Sequence, residues 1–281
     1  MKKLIIYTSG GLSNRIFPIA SSISLSKKYN RELLIYWPID RCCLGHFNDL
    51  YDTELNFIDD VFLNTLIDDE TEYHTKHHAS VINSRDTYGR TFLSNKLDGG
   101  KVLINRPINF EGDSDILLLD NNFMSTVTYE ENISELQNLK FKEDIINKSN
   151  ELNSVIGLDK SVVGIHARGT DFNPDINFYV NQINQVLGEN IDTKFYISSD
   201  DNILEDTLIG RYPNNITRRV KTNYIEKHNE NHQRWSNNIK ITLPLMVESI
   251  IDMLLLSKTD FRIYNNLSTF AEYIKILSKK K

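Results

Sequence analysis

Two rhythms of apolar residues alternate along this chain. Leu4–Tyr7 and Leu33–Trp37 are short unbroken apolar runs, the pattern of strands buried on both faces. Between them Ile16, Ile19, Ala20, Ile23 and Leu25 recur at helical spacing, predicting a helix from about Asn14 to Tyr29 with Pro18 tolerable near its first turn. Strand, helix, strand within forty residues is a βαβ unit, which predicts a parallel sheet. The stretch from about Asp40 to Asp120 is polar and interrupted, with short β-like pieces at Lys101–Asn105 and Asp115–Leu119. A helix is expected over Asn132–Asn153.

Regular alternation then restarts. Strands are expected at Val162–His166, Thr193–Ser198, Asn215–Lys221 and Phe261–Tyr264. Helices are expected at Asp175–Leu187, Asn202–Ile209, Leu245–Ser257 and Ser268–Ser278. The fold class is therefore α/β, in two domains: 1–155 and 156–281.

Composition narrows the classes of function. With 40% hydrophobic and 25% charged residues the chain can build a sizeable core, and its net charge of −6 argues against a nucleic-acid binder. Cys42 and Cys43 are adjacent, which disfavours a disulfide and gives no zinc spacing, so a reducing, cytoplasmic setting is expected. The first apolar run is too short for a signal peptide, and no segment reaches the length of a spanning helix. Arg218-Arg219-Val-Lys221 reads as a solvated strand edge or loop. Lys275 and the terminal Lys279–Lys281 read as a frayed helix end, with a weak contact to anionic lipid at the inner face of the membrane as the alternative. His74, His77 and His78, and the stretch His228–His232, read as solvated polar surface rather than metal ligands.

Chemistry gathers where strands end. Val162–Ile165 delivers His166, Arg168 and Asp171 to a strand's carboxyl end, where ligands of open α/β sheets bind. The planar guanidinium of Arg168 matches phosphate oxygens, and strand periodicity puts His166 on the same side. An Arg168–Asp171 ion pair is the structural alternative. Gly10-Gly11-Leu-Ser-Asn14-Arg15 closes the first strand and opens a helix, a glycine-permitted approach of backbone to ligand that is neither a Walker A loop nor a Gly-x-Gly-x-x-Gly fingerprint. Asp200-Asp201 fits a divalent metal, but it directly precedes a helix and fits an N-cap better. Asp252 lies in an apolar helix and needs partners, either a core side chain or the two N–H donors of a guanine base. Ser268 and Thr269, before Phe270, suit a helix cap or a phosphate site.

Taken together these pieces resemble the fucosyltransferase superfamily of α1,2-, α1,6- and protein O-fucosyltransferases. Gly10–Arg15 is similar to its Gly-x-x-Asn-Gln/Arg loop and His166–Asp171 to its His-x-Arg-x-x-Asp motif. Tyr196–Asp201, and the Asp252 helix followed by Leu267–Phe270, resemble the remaining two in the expected order. The resemblance implies two Rossmann-like domains facing a central cleft (GT-B-like), the acceptor on the N-terminal one and a GDP-sugar on the C-terminal one. It implies inverting transfer, without a cofactor or metal, of a sugar such as fucose to a glycan hydroxyl of the bacterial polysaccharide or lipopolysaccharide type. Gly11, Arg15, His166, Arg168, Asp252, Ser268, Thr269 and Phe270 would bind the donor, and Arg168, Asp171 and Asn14 would act in catalysis. Where several relatives carry a second Arg after the first, this chain has Gly169. The competing expectations are a GDP-binding module without transfer activity and a transferase for a different GDP-sugar.

Overall fold

The computed structural model describes residues 1–66, 72–74, 110–113, 115–118, 128–169, 175–223, 240–266 and 268–279. It divides into two compact α/β units, one of residues 1–48 and 52–140, the other of residues 49–51 and 141–281. The division falls at 140/141 rather than 155/156. The reason is that the segment from Asn132 is two helices, not one, and the break between them carries Phe141.

The first unit holds strands β1 (Lys3–Tyr7), β2 (Glu32–Tyr36), β3 (Phe57–Ile58), β4 (Glu72–His74) and β5 (Ile116–Leu118) in the order β3-β2-β1-β5-β4. Every pairing is parallel. Helix α1 (Leu12–Lys28) links β1 to β2 and buries Ile16, Phe17, Ile19 and Ala20. It begins two residues earlier than its apolar rhythm suggests, so Pro18 lies in the second turn and withdraws the N–H that the Asn14 carbonyl would otherwise accept. Helices α2 (Asp60–Leu66) and α3 (Tyr129–Asn138) are the unit's other described α-helices. Thr128 and Glu131 close a reciprocal capping box at the start of α3.

The second unit contains helix α4 (Glu143–Ile156) and strands β6 (Val163–Ala167), β7 (Phe195–Ser199), β8 (Ile216–Thr217) and β9 (Asp260–Ile263). The sheet is parallel, in the order β8-β7-β6-β9. Helices α5 (Ile176–Glu189) and α6 (Asn202–Arg211) cover one face, where Val163, Ile165 and Ala167 meet Phe195, Ile197, Tyr179, Ile183, Leu204 and Leu208 in one core. Gly164, His166, Tyr196 and Ser198 alternate to the opposite face, that of α7 (Leu243–Lys258). The approach there is tight. A Cβ on Gly164 would strike Thr259 Oγ1 and come within 3.2 Å of the Phe261 ring. Helix α8 (Thr269–Ser278) follows β9 and packs on α7.

Both sheets reverse their strand order beside their first strand, at β1/β5 and at β6/β9. In doubly wound sheets ligands bind at that reversal, outside the carboxyl ends of the strands. The strand expected over Asn215–Lys221 stops at Thr217, because the residues after it leave the sheet to make ion pairs. The piece expected at Lys101–Asn105, and His77, His78, His228 and His232, lie outside the described residues. No described helix is long and apolar enough to cross a membrane.

Candidate functional site

At the β6/β9 reversal the second unit brings together residues a hundred positions apart. The strand rule places His166 on the α7 and α8 side of the sheet, and its ring stacks on Phe270 of α8 at 4.5 Å between centroids and 23° between planes. The imidazole is buried. One residue beyond the strand, Arg168 is half-buried, and Gly169 follows in full burial. Gly169 has to be glycine, because a Cβ there would sit inside van der Waals contact of the Asp201 side chain. This explains why no second arginine stands at 169.

Both peptide groups around Arg168 are held. The Arg168 N–H donates to the Tyr179 hydroxyl at 3.0 Å, and the Gly169 N–H donates to Asp200 Oδ1 at 2.6 Å. Asp201 caps α6 by accepting from the amides of Ile203 and Leu204. The Asp200-Asp201 pair is thus divided between a loop clasp and a helix cap, as the capping expectation required. Ser268 caps α8 by accepting from the Ala271 N–H at 3.3 Å, with Thr269 and Phe270 half-buried in the first turn. Asp171 lies outside the described residues.

Two residues expected to contact the donor already have partners within the protein. Asp252 is buried and already has cationic partners: Arg219 Nε at 2.6 Å and Lys221 Nζ at 2.7 Å. Burial pushes its carboxyl up, but the Lys221 and Arg219 charges and hydrogen bonds from Lys221 and Ser198 pull it below its ordinary value of 3.8. Each carboxylate oxygen thus has a cationic partner. Arg219 also meets Glu248, and Lys221 reaches the Ser199 carbonyl at 2.5 Å. Burial works against the Arg219 charge, and Asp252 and Glu248 more than restore it. Fully buried Glu205 accepts from the Ser199 N–H and pairs with Arg218 at 3.2 Å. The basic cluster expected on a solvated loop is instead a buried ionic network beneath the ends of β7 and β8. Its signal lay in Asp252 and Glu248, acids in an apolar helix that called for cations.

Arg15 is the second. Its side chain is fully buried; Nε donates to the Gly10 carbonyl at 2.7 Å, Nη1 to Pro38 and Nη2 to Asp40 at 2.7 Å, and the guanidinium lies 5.0 Å from the Trp37 ring. Arg15 therefore ties the β1–α1 turn to the loop after β2. Gly11 stands at the N-cap of α1 with no side-chain cap, and half-buried Asn14 packs beside Gly10, whose φ of +79° needs a glycine.

Solved fucosyltransferases share this fold of two α/β units, each built on a parallel sheet. The NodZ α-1,6-fucosyltransferase co-crystallized with GDP superposes with a TM-score of 0.65 at 16% identity, over 99% of this chain and 93% of that one. The fucosyltransferase NodZ from Bradyrhizobium gives 0.64 at 16% identity over the same shares. POFUT1 in complex with GDP-fucose gives 0.56 at 12% identity, over 98% of this chain and 94% of that one. No protein-family model and no curated protein sequence matches the chain. At these identities the likeness is one of fold, and it meets the expectation drawn from the four motifs.

Proposed function

We propose that this chain is a glycosyltransferase that moves fucose from GDP-fucose to a hydroxyl of a glycan acceptor, with inversion and without a metal. The observation that carries the reading is Arg168 at the β6/β9 reversal, in a fold shared with enzymes crystallised with GDP and GDP-fucose. In the reaction the acceptor oxygen forms a bond to the anomeric carbon as the bond to the β-phosphate oxygen breaks. The bonding pair leaves with GDP, and the hydroxyl proton passes to a base, for which Asp171 is the candidate. Charge grows on the departing diphosphate. Arg168 meets it, aided by the N–H groups at the start of α8. The His166–Phe270 stack fixes that helix start against β6. In the first unit, Gly11 is a candidate donor contact and Asn14 a candidate positioning group.

Thermal shift with GDP, UDP and a set of GDP-sugars tests the donor, since a bound ligand raises apparent stability. GDP and GDP-fucose are expected to stabilise and UDP is not. Equal shifts with both nucleotides would sink the reading. GDP release from GDP-fucose is expected to continue in excess EDTA; binding without release would mark a nucleotide-binding module. Arg168→Lys keeps the charge and loses the fork, so turnover is expected to fall on the order of 10²–10³-fold. GDP affinity should fall less, because the charge on the leaving group is largest in the transition state. Normal turnover in Arg168→Lys, with a lowered melting temperature, would return Arg168 to the structural ion-pair reading.

A further inference from the structure

The direction of a side chain is set by the backbone at its own Cα. A residue has only two soft backbone torsions, so fixing the two peptide planes that flank a Cα fixes where its Cβ points. At Arg168 both planes are pinned by side chains from other elements. The plane before it donates its N–H to Tyr179 of α5, and the plane after it donates to Asp200 beyond β7. Tyr179 is anchored in the core under β6 and β7, with its ring almost wholly enclosed. Asp200 is held from the other side, since its neighbour Asp201 caps α6 and fills the space beside Gly169.

We infer that Tyr179 and Asp200 are positioning residues, a clasp on the two amides around Arg168 that aims its guanidinium at the leaving group. The inference rests on the transferase reading above and adds to it which residues make Arg168 effective. The clasp needs acceptor atoms, not charge: a hydroxyl oxygen at one amide and one carboxylate oxygen at the other. Burial pushes the Tyr179 phenol up, the Arg168 N–H draws it down and the Asp200 charge raises it again, so the hydroxyl stays protonated at neutral pH. Gly169 belongs to the same device, because only a residue without a Cβ brings its N–H so close to Asp200 and Asp201.

The test compares wild type, Asp200→Ala, Asp200→Asn and Tyr179→Phe in the full chain, measuring kcat and KM for GDP release from GDP-fucose, GDP affinity and melting temperature. In Asp200→Ala kcat is expected to drop on the order of a hundredfold, the scale of a catalytic group displaced by about 1 Å, with KM and GDP affinity changing far less. Asp200→Asn keeps the accepting oxygen and should recover most of that rate. Tyr179→Phe removes one hydroxyl and should repeat the fall in kcat. Should Asp200→Ala fail to fold, Tyr179→Phe decides by the same split. An active wild type with unchanged kcat in Asp200→Ala overturns the clasp alone. So does an equal loss in Asp200→Ala and Asp200→Asn, or a melting temperature that falls in step with kcat across the set. A wild type that neither binds GDP nor releases it from GDP-fucose overturns the donor reading and the clasp together.

Discussion

Asp252 shows how a single residue can announce a need without naming what meets it. A carboxylate inside an apolar helix had to find partners, and its partners are Arg219 and Lys221, which lie more than thirty residues earlier in a stretch with no period. Removing one member of such a buried set leaves opposite charge uncompensated, typically about 3–5 kcal/mol. Asp252→Asn is therefore expected to destabilise the chain by about that much at neutral pH. Because the folded carboxyl is depressed, its contribution is complete above the ordinary value of 3.8 and disappears as pH falls through the lower folded value. The difference in unfolding free energy between wild type and variant should stay flat from neutral pH to about pH 5 and shrink below about pH 4. Urea unfolding across that range checks it, and a difference that grew in acid would contradict the network. Arg15 was opaque for the same reason, its partner Asp40 being set by a turn after β2. The Arg168 clasp was less legible still, since it engages backbone amides that every non-proline residue carries.

At the level of elements, strands and helices were readable wherever apolar period and turn residues agreed. β1, α1 and β2 fall within two residues of their expected ends, and so do β6, α5, β7, α6, α7, β9 and α8. The readings failed where tertiary contact overrode local pattern. The helix expected over Asn132–Asn153 breaks around Phe141, and β8 is cut short by ion pairs at Arg218–Lys221. The β6–β9 pairing carries a hidden constraint at Gly164, where the sheet lies close on Thr259 and Leu256 and the register shifts. Adding one methyl there overpacks a closed space, which costs about 1–3 kcal/mol. Gly164→Ala should lower the melting temperature, and Gly164→Ala with Thr259→Ala should recover part of the loss by removing the struck hydroxyl. Equal stability of Gly164→Ala and wild type in denaturant melts would show that the sheet yields more freely than its geometry allows.

On the scale of the whole molecule, sequence order and structural membership part company at residues 49–51. Leu50 and Tyr51 come early in the chain yet belong to the second unit. There the Tyr51 ring stacks on Phe141 at 4.8 Å, and the Lys142 N–H donates to the Leu50 carbonyl at 2.9 Å. Tyr51→Ala should cost about 3–5 kcal/mol, as a fully buried aromatic does. Hydrogen exchange would place the loss: amides of α4 and α8 should lose protection while those of β1 and β2 keep theirs. A loss confined to β1 and β2 would refute the assignment of this segment.

That three-residue excursion also sets a timetable for the ribosome. A nascent chain that has just emitted Leu50 and Tyr51 must hold them in reserve until the residues that enclose them have been made. At ordinary rates of synthesis the 90 residues from Tyr51 to Phe141 take roughly five to twenty seconds. Over that interval Leu50 and Tyr51 lack the partners they bury against. Burial of Leu50 and Tyr51 therefore waits on the segment that carries Phe141 and Lys142, so the early part of the chain is finished by a later one.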